Sequence, residues 1–405
     1  MRIKPPSLVV LLAVVFAMVA AACGSGDEPA AEETTAATEA ATTTQAPEVT
    51  TTTAAPEVTT TTAAPEVTTT TAAPEETTTT PSALTEADLI DVGAEPGSGE
   101  GIKIGYISLG DSIPFVKLVS DNIREQAEIA GAEFVFCDGE VDPTKSLECA
   151  RTLGVQEVDV VINFNLFEDA AAEICEAYGN KPTISIDIHQ TCETSFFGAD
   201  NFRAGFMTGA STGLHIQADF DCEYDEFVLL NALAAGQVVI ERGDGAVAGF
   251  EEICGEIPED KFTFVDVPSI AVDEARVNFG DWLTTHPDAE VIAVASTNDD
   301  MFLGAIAATE AAGRDGQVFG TAQGADESSW NRIVCDESWV ADTAYFPERY
   351  GRTTVPAAIA AAQGIPIPDP LFVNHIVLTN NPAILGTDLF PTAPFTDFYP
   401  DQTCG

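Results

Sequence analysis

Between Ile102 and Thr321 the chain alternates short β-branched runs with helical stretches, and few folds can accommodate that alternation. Ile102 to Ser108 reads as a strand, Phe115 to Ala130 as an amphipathic helix, Glu133 to Cys137 as a strand, Pro143 to Leu153 as a helix and Val158 to Phe164 as a strand. A helix over Ala170 to Tyr178, a strand over Thr183 to Asp187 and a helix after Asp200 complete the first series. The second series predicts strands at Glu226 to Leu230, Thr263 to Val267, Val291 to Ala295 and Val318 to Thr321. Its helices fall at Ala246 to Cys254, Val272 to Thr285 and Asp300 to Ala312. Repeated βαβ units imply a parallel, doubly wound sheet, and two series imply an α/β fold of two lobes. The roughly three hundred residues after Glu100 are enough to bury two cores.

The region before the first strand has a different composition. Arg2 and Lys4 precede an apolar run from Leu8 to Ala22, too short to span a bilayer but suited to an export signal, so residues 1–22 read as a signal peptide. Ala20-Ala21-Ala22-Cys23-Gly24 resembles a lipobox, which predicts a diacylglycerol on Cys23 and anchorage at the outer face of the cytoplasmic membrane or in the periplasm. Residues 23–100 are dominated by Thr, Ala, Pro and Glu, with Ala55-Pro56-Glu57-Val58 and four threonines recurring as a unit. Such a segment buries too little apolar surface to offset its ordering entropy and reads as a disordered tether, with or without O-glycosylation.

Sixteen Lys/Arg against 65 Asp/Glu give a net charge of −49, a field that repels nucleic acid and anionic lipid. Setting Cys23 aside leaves eight cysteines without CxxC or Cys/His spacing, which points to disulfides in an oxidising compartment rather than zinc. Neighbours along the chain suggest Cys137 with Cys149, Cys175 with Cys192, Cys222 with Cys254 and Cys335 with Cys404. The acidic run Asp219 to Asp225 has alternate spacing but lacks the glycine and glutamate of a calcium loop and reads as solvated. No nucleophile elbow, phosphate loop, HExxH pattern or histidine cluster is present, so neither an enzyme nor a metal or cofactor site is expected.

The opening Ile102 to Pro114, Phe197-Gly198-Ala199-Asp200-Asn201, Thr285-His286-Pro287-Asp288 and above all Ser296-Thr297-Asn298-Asp299-Asp300-Met301-Phe302-Leu303-Gly304-Ala305 resemble the type I periplasmic sugar-binding proteins, ribose-binding branch. The likeness continues through Ala344-Tyr345-Phe346-Pro347 to a final strand, Phe372 to Leu378. It implies lobes that exchange strands at a three-segment hinge, with crossings near residues 198–203, 343–347 and 374–378. Residues 101–200 plus 346–375 then form the N-terminal lobe, and 201–345 plus 376–405 the C-terminal lobe. It also implies a monomer that captures a monosaccharide, polyol or other small polar solute and serves an ABC permease, or alternatively docks a membrane signalling receptor.

Ligands of such sheets bind at the carboxyl ends of the strands. The candidates are therefore Asp111, Ser112 and Phe115 after the first strand, Asn163 and Asn165 after the third, and Asp187 and His189 after the fourth. A sugar face could stack on Phe115, while Asp111 and Ser112 are alternatively helix caps. By resemblance Asp187 sits where the family places a hydroxyl-binding carboxylate, and Asn298, with Asp299, where it places an asparagine on the ligand. Arg242 matches a family arginine before Gly249-Phe250 with about three extra residues between, and would admit a carboxylate-bearing ligand. Gln323 stands near a family aspartate, Tyr345 near a family glutamine, and Ile270 where a stacking phenylalanine is common.

Overall fold

A computed structural model describes residues 82–402 and Cys404. The residues read as an export signal, the expected lipidation site Cys23 and most of the expected tether lie outside the described residues. The first half of the described chain runs β1 (Lys103–Ser108), α1 (Pro114–Ala130), β2 (Glu133–Asp138), α2 (Pro143–Val155), β3 (Val160–Asn163), α3 (Glu168–Ala177), β4 (Thr183–Ile186) and β5 (Ser195–Gly198). It continues with α4 (Asn201–Phe220), β6 (Glu226–Asn231), α5 (Gln237–Cys254), β7 (Phe262–Asp266), α6 (Val272–Thr285), β8 (Ile292–Ser296), α7 (Asp299–Ala311), β9 (Val318–Gly324), α8 (Trp330–Cys335) and β10 (Trp339–Ala344). Last come α9 (Gly351–Ala362), β11 (Leu371–Phe372), β12 (Ile376–Leu378) and β13 (Thr392–Ala393).

Two sheets result, ordered β11-β5-β4-β3-β1-β2 and β13-β12-β10-β9-β8-β6-β7. Every pairing in the first is parallel, and in the second only β10 with β12 is antiparallel. Helices cover both faces, so β3, β4 and β8 are buried along their whole length, which is why they read as unbroken apolar runs. On one side of the first sheet Ile104, Ile162 and Ile184 pack with Val119 and Ile123 of α1 and Val355 of α9; on the other, Ile107 and Val161 pack with Leu153 of α2 and Ile174 of α3. The chain passes between sheets three times: from β5 into α4, from β10 toward α9, and from β11 to β12.

Several elements differ from expectation. The tether ends well before residue 100: Leu84 N–H donates to the Pro366 carbonyl, Gly93 N–H to that of Arg352, and Leu89 is 1% exposed in the first core. Burying that one leucine is worth about 2 kcal/mol, and Asp91 fixes the segment further by pairing with Arg352. Helix α5 begins nine residues earlier than predicted, because Gly243, Gly245 and Gly249 resemble breakers yet serve as packing sites. A Cβ on Gly209 of α4 would lie 1.8 Å from the Ala246 carbonyl oxygen, and one on Gly249 2.0 Å from that of Phe206. The final strand is two short ones, β11 and β12, divided between the sheets.

Four disulfides join Cys137 to Cys149, Cys175 to Cys192, Cys222 to Cys254 and Cys335 to Cys404. They tie β2 to α2, α3 to the loop after β4, the ends of α4 and α5 together, and α8 to the C-terminal segment. In the acidic run 219–225, Asp225 accepts the Glu290 and Val291 N–H groups, and among the described residues no three side chains are grouped to hold a metal.

Candidate functional site

The carboxyl ends of the strands meet the three chain crossings, and one group of side chains converges there. Asp187 follows β4 with φ 59°, a left-handed conformation that aspartate tolerates better than most residues. A Cβ on Gly198 would come within 3.0 Å of the Asp187 Oδ1, so a side chain there would crowd the carboxylate. Burial pushes the Asp187 carboxyl up to about 7, against the opposing pull of the Arg242 charge, the Tyr350 hydroxyl and the Ala199 N–H.

Arg242 reaches the same place from the first turns of α5. Its position follows from the packing of α5 on α4, since a Cβ on Gly205 would stand 2.0 Å from the Arg242 carbonyl oxygen. Nε donates to Asn201 Oδ1 at 2.9 Å, Nη1 to the Thr297 carbonyl at 3.3 Å, and the guanidinium lies 4.7 Å from the Tyr345 ring centroid. The extra residues before Gly249-Phe250 are therefore absorbed within one continuous helix that carries Arg242 to the hinge.

Gln323, on β9, accepts a hydrogen bond from the Tyr345 hydroxyl at 3.1 Å, while its Nε2 is buried without a partner. Burial, offset in part by Arg242, pushes the Tyr345 hydroxyl up to about 12. Phe115 sets its ring against Tyr350 at 5.7 Å and packs beside Ala199, Ala204 and Tyr345. Ile270 is half exposed and supplies no stacking ring.

Two members of the group were not anticipated. Tyr350, wedged against the edges of Phe115 and Phe197, has a buried hydroxyl that faces Asp187 but has no partner in hydrogen-bond geometry. His375 lies in the third crossing, with its ring 4.6 Å from that of Tyr345. A carbonyl only accepts, so its Nδ1–H donates to Ala344 O at 3.1 Å and Nε2 is left a bare, unpartnered acceptor. Burial holds this imidazole neutral by lowering its pKa to about 4.

The remaining candidates lie elsewhere. Asp111 accepts from Ser108 Oγ at 2.7 Å and Ser120 Oγ at 2.6 Å, bracing the loop after β1. Ser112 is exposed, and α1 is capped by Ile113 with no side-chain bond, so neither residue caps the helix. Gln190 reaches both Asn163 Nδ2 and Asn165 Nδ2 at 3.5 Å, and Asn165 Oδ1 holds the Phe167 N–H, which ties both asparagines to the loop scaffold. His189 is exposed, pairs with Glu193 at 2.7 Å and stacks on Phe196. Asn298 is the N-cap of α7, its Oδ1 accepting from Met301 N–H at 3.1 Å.

Asp299, the first residue of α7 after its cap Asn298, is fully buried. Its Oδ2 accepts from Asp326 N–H at 2.7 Å and Ser329 Oγ at 2.8 Å, and its buried Oδ1 has no donor. Next to it, Asp342 accepts from Ala325 N–H and from Trp339 Nε1–H. Burial and the Asp342 charge raise Asp299 well above the carboxylate range, and burial pushes Asp342 up to about 7. A proton shared between the two carboxyls would give the orphaned Oδ1 its donor. The charges of both acids act on the Tyr345 hydroxyl.

Residues 104–366 match the sequence profile of the periplasmic binding protein domain. The ribose import binding protein RbsB of Escherichia coli is 25% identical over 259 residues, spanning 62% of this chain and 81% of that protein. A periplasmic ribose ABC transporter protein from Conexibacter woesei superposes with a TM-score of 0.59 at 20% identity, covering 71% of this chain and 94% of its own. A glycerol-bound ABC transporter solute-binding protein from Mycobacterium smegmatis gives 0.58 at 21%, covering 72% and 99%. One with bound myo-inositol from Bacillus halodurans gives 0.55 at 19%, covering 70% and 95%. These relatives are binding proteins and not enzymes. With two strand-exchanging lobes and a profile match across most of the folded region, the chain belongs to the periplasmic binding protein family, in its type I sugar-binding branch.

Proposed function

We propose that this protein is an extracytoplasmic solute-binding lipoprotein, anchored through Cys23, that acts as a monomer, captures a sugar or polyol between its lobes and delivers it to an ABC importer. The observation that carries the reading is the meeting of Asp187 from one sheet's edge, Arg242 and Gln323 from the other's, and Tyr345, Tyr350 and His375 at the crossings. Hydroxyl groups both donate and accept, and this set offers both complements. The polyols bound by the related structures support the same ligand class.

No bond is made or broken in this function. A solute touching both lobes favours the closed arrangement by its differential affinity for it, and closure joins two surfaces into one that a permease can recognise. A thermal-shift screen of the full chain against monosaccharides, alditols and cyclitols tests the reading, since a ligand bound only to the native state raises its melting point by mass action. At least one stabilising solute is expected, with the shift lost on Asp187→Ala; a flat response across the panel would rule out this ligand class.

A further inference from the structure

The second chain crossing, from β10 toward α9, carries a strained residue between two members of the cleft group. Phe346 has φ 52° and ψ 57°, a left-handed conformation that a bulky side chain rarely adopts. Such strain persists only where the surroundings hold it, and it collects at functional sites. Here it falls one residue after Tyr345 and four before Tyr350.

The groups that hold this crossing come from both ends of the described chain, outside residues 104–366 that match the family profile. From the C-terminal segment, Phe398 stacks on the Phe346 ring at 4.9 Å with 28° between the planes, and the Tyr399 hydroxyl donates to Glu348 Oε1 at 3.1 Å. That segment is itself fixed by Phe395, fully buried in the second core, and by the Tyr399 ring 4.3 Å from that of Trp330. From the N-terminal segment, Asp91 lies 3.5 Å from Arg349 Nη1. Asp91 is secured in turn, because its N–H donates to Thr353 Oγ1 at 2.9 Å and Arg352 donates to both its carboxylate and its carbonyl. The Arg349 guanidinium is 4.9 Å from the ring centroids of Phe346 and Phe398 alike, so it joins the two ends.

We propose that the two ends form a clasp on this crossing, in which Phe398, Arg349 and Asp91 are positioning residues that hold Tyr345 and Tyr350 where they meet the solute. The inference deepens the cleft reading above and rests on it. The clasp acts through the backbone around Phe346: Tyr345 N–H donates to Gly324 O at 3.2 Å, Arg349 N–H to Phe346 O at 2.9 Å and Tyr350 N–H to Pro347 O at 3.3 Å. A shift of Phe346 therefore moves one tyrosine on each side of it. The parts contribute unequally. The Arg349 and Asp91 side chains remain 35% and 31% exposed, and a solvated ion pair holds weakly, whereas Phe346 is 5% exposed and its stack on Phe398 is largely desolvated. Phe398 is thus the principal element.

The test combines hydrogen–deuterium exchange of the full chain with calorimetric titration of myo-inositol, D-ribose and D-glucitol. Phe398→Ala is expected to quicken exchange of the Tyr345 and Tyr350 amides about tenfold or more and to weaken the tightest-binding of the three solutes about tenfold. Phe398→Tyr keeps the stacked ring and should restore both, and Asp91→Asn should give a smaller effect in the same direction. Exchange in β3 serves as the gauge, since a general loss of stability quickens every region and loss of the clasp quickens only the crossing. Unchanged exchange at the crossing, or equal quickening in β3, would overturn the clasp. A quickened crossing with undiminished affinity would overturn the positioning of the two tyrosines. Binding of none of the three solutes by the unaltered chain would bring down the sugar reading and the positioning role with it, while the exchange rates would still decide whether the clasp holds the crossing.

Discussion

The two sheets end in loops of similar composition but use their polar residues differently. After β1 and β3, Asp111, Asn163 and Asn165 are bound to Ser108, Ser120 and Gln190, so they brace their own loops. On the opposite sheet, Gln323 keeps a buried, unpartnered Nε2 beside Tyr345, and the loop after β9 is braced instead by Asp299 and Asp342. A polar residue at a strand end is thus free for a ligand only where something behind it already carries the scaffold. In the second sheet that support comes from the buried acid pair and from the close contact of α4 with α5.

Four experiments would break or sharpen this contrast. The largest effect is expected from Gly209→Ala, which sets a methyl against the Ala246 carbonyl and must push α5 from α4; a loss of about 4 kcal/mol is predicted by chemical denaturation. Gly154→Ala in the first sheet's helix layer, where the nearest backbone oxygen is 2.5 Å away, should cost less. Equal losses would mean that the two layers are packed with equal tolerance.

Next come the disulfides. Replacing Cys222 and Cys254 by serine opens a 32-residue separation and should cost about 3.5 kcal/mol, against about 3 for Cys137 and Cys149, which are 12 residues apart. A reversed order would show that native-state packing, rather than loop closure, dominates.

The acid pair gives a smaller, pH-dependent effect. Folding raises both carboxyls above their unfolded values, so the native state holds more protons than the unfolded one between about pH 4 and 7, and stability falls as pH rises through that window. Asp299→Asn keeps the Oδ2 acceptor and places a permanent N–H donor at the orphaned Oδ1. It should add about 2 kcal/mol at pH 8 and little at pH 4 in parallel urea titrations. A pH-independent difference would show that no proton is shared. The smallest change is expected from Tyr350→Phe: removing an unpartnered buried hydroxyl should leave stability within about 1 kcal/mol, on the stabilising side, while weakening solute binding.

Much of the architecture was legible because parallel strands buried on both faces leave unbroken β-branched runs, as in Val160-Val161-Ile162 and Ile292-Ala293-Val294. Strand β10 escaped because its Asp342 and Thr343 are buried polar residues that interrupt the apolar pattern, and the first half of α5 escaped because its glycines mimic a turn. Within the site, Asp187, Arg242, Gln323 and Tyr345 were singled out by family resemblance, and the structure places them together at the hinge. His189, Asn298 and Asp299 illustrate the limit: a residue's position after a strand is visible in sequence, but its side-chain direction depends on partners such as Glu193 or Asp326 that are distant in the pattern or belong to the next loop. Tyr350 and His375 left no signal at all, since a lone ring near a chain crossing has no period to betray it.

The claim on which the account depends is that one solute is held by both lobes at once. Calorimetric titration of the best-binding sugar or alditol into the unaltered chain, Asp187→Ala and Gln323→Ala tests it directly, because one residue belongs to each sheet's edge. The account predicts that each substitution alone weakens binding by about tenfold or more while the protein remains folded. Undiminished affinity in either variant would place the solute on one lobe only and contradict capture between two.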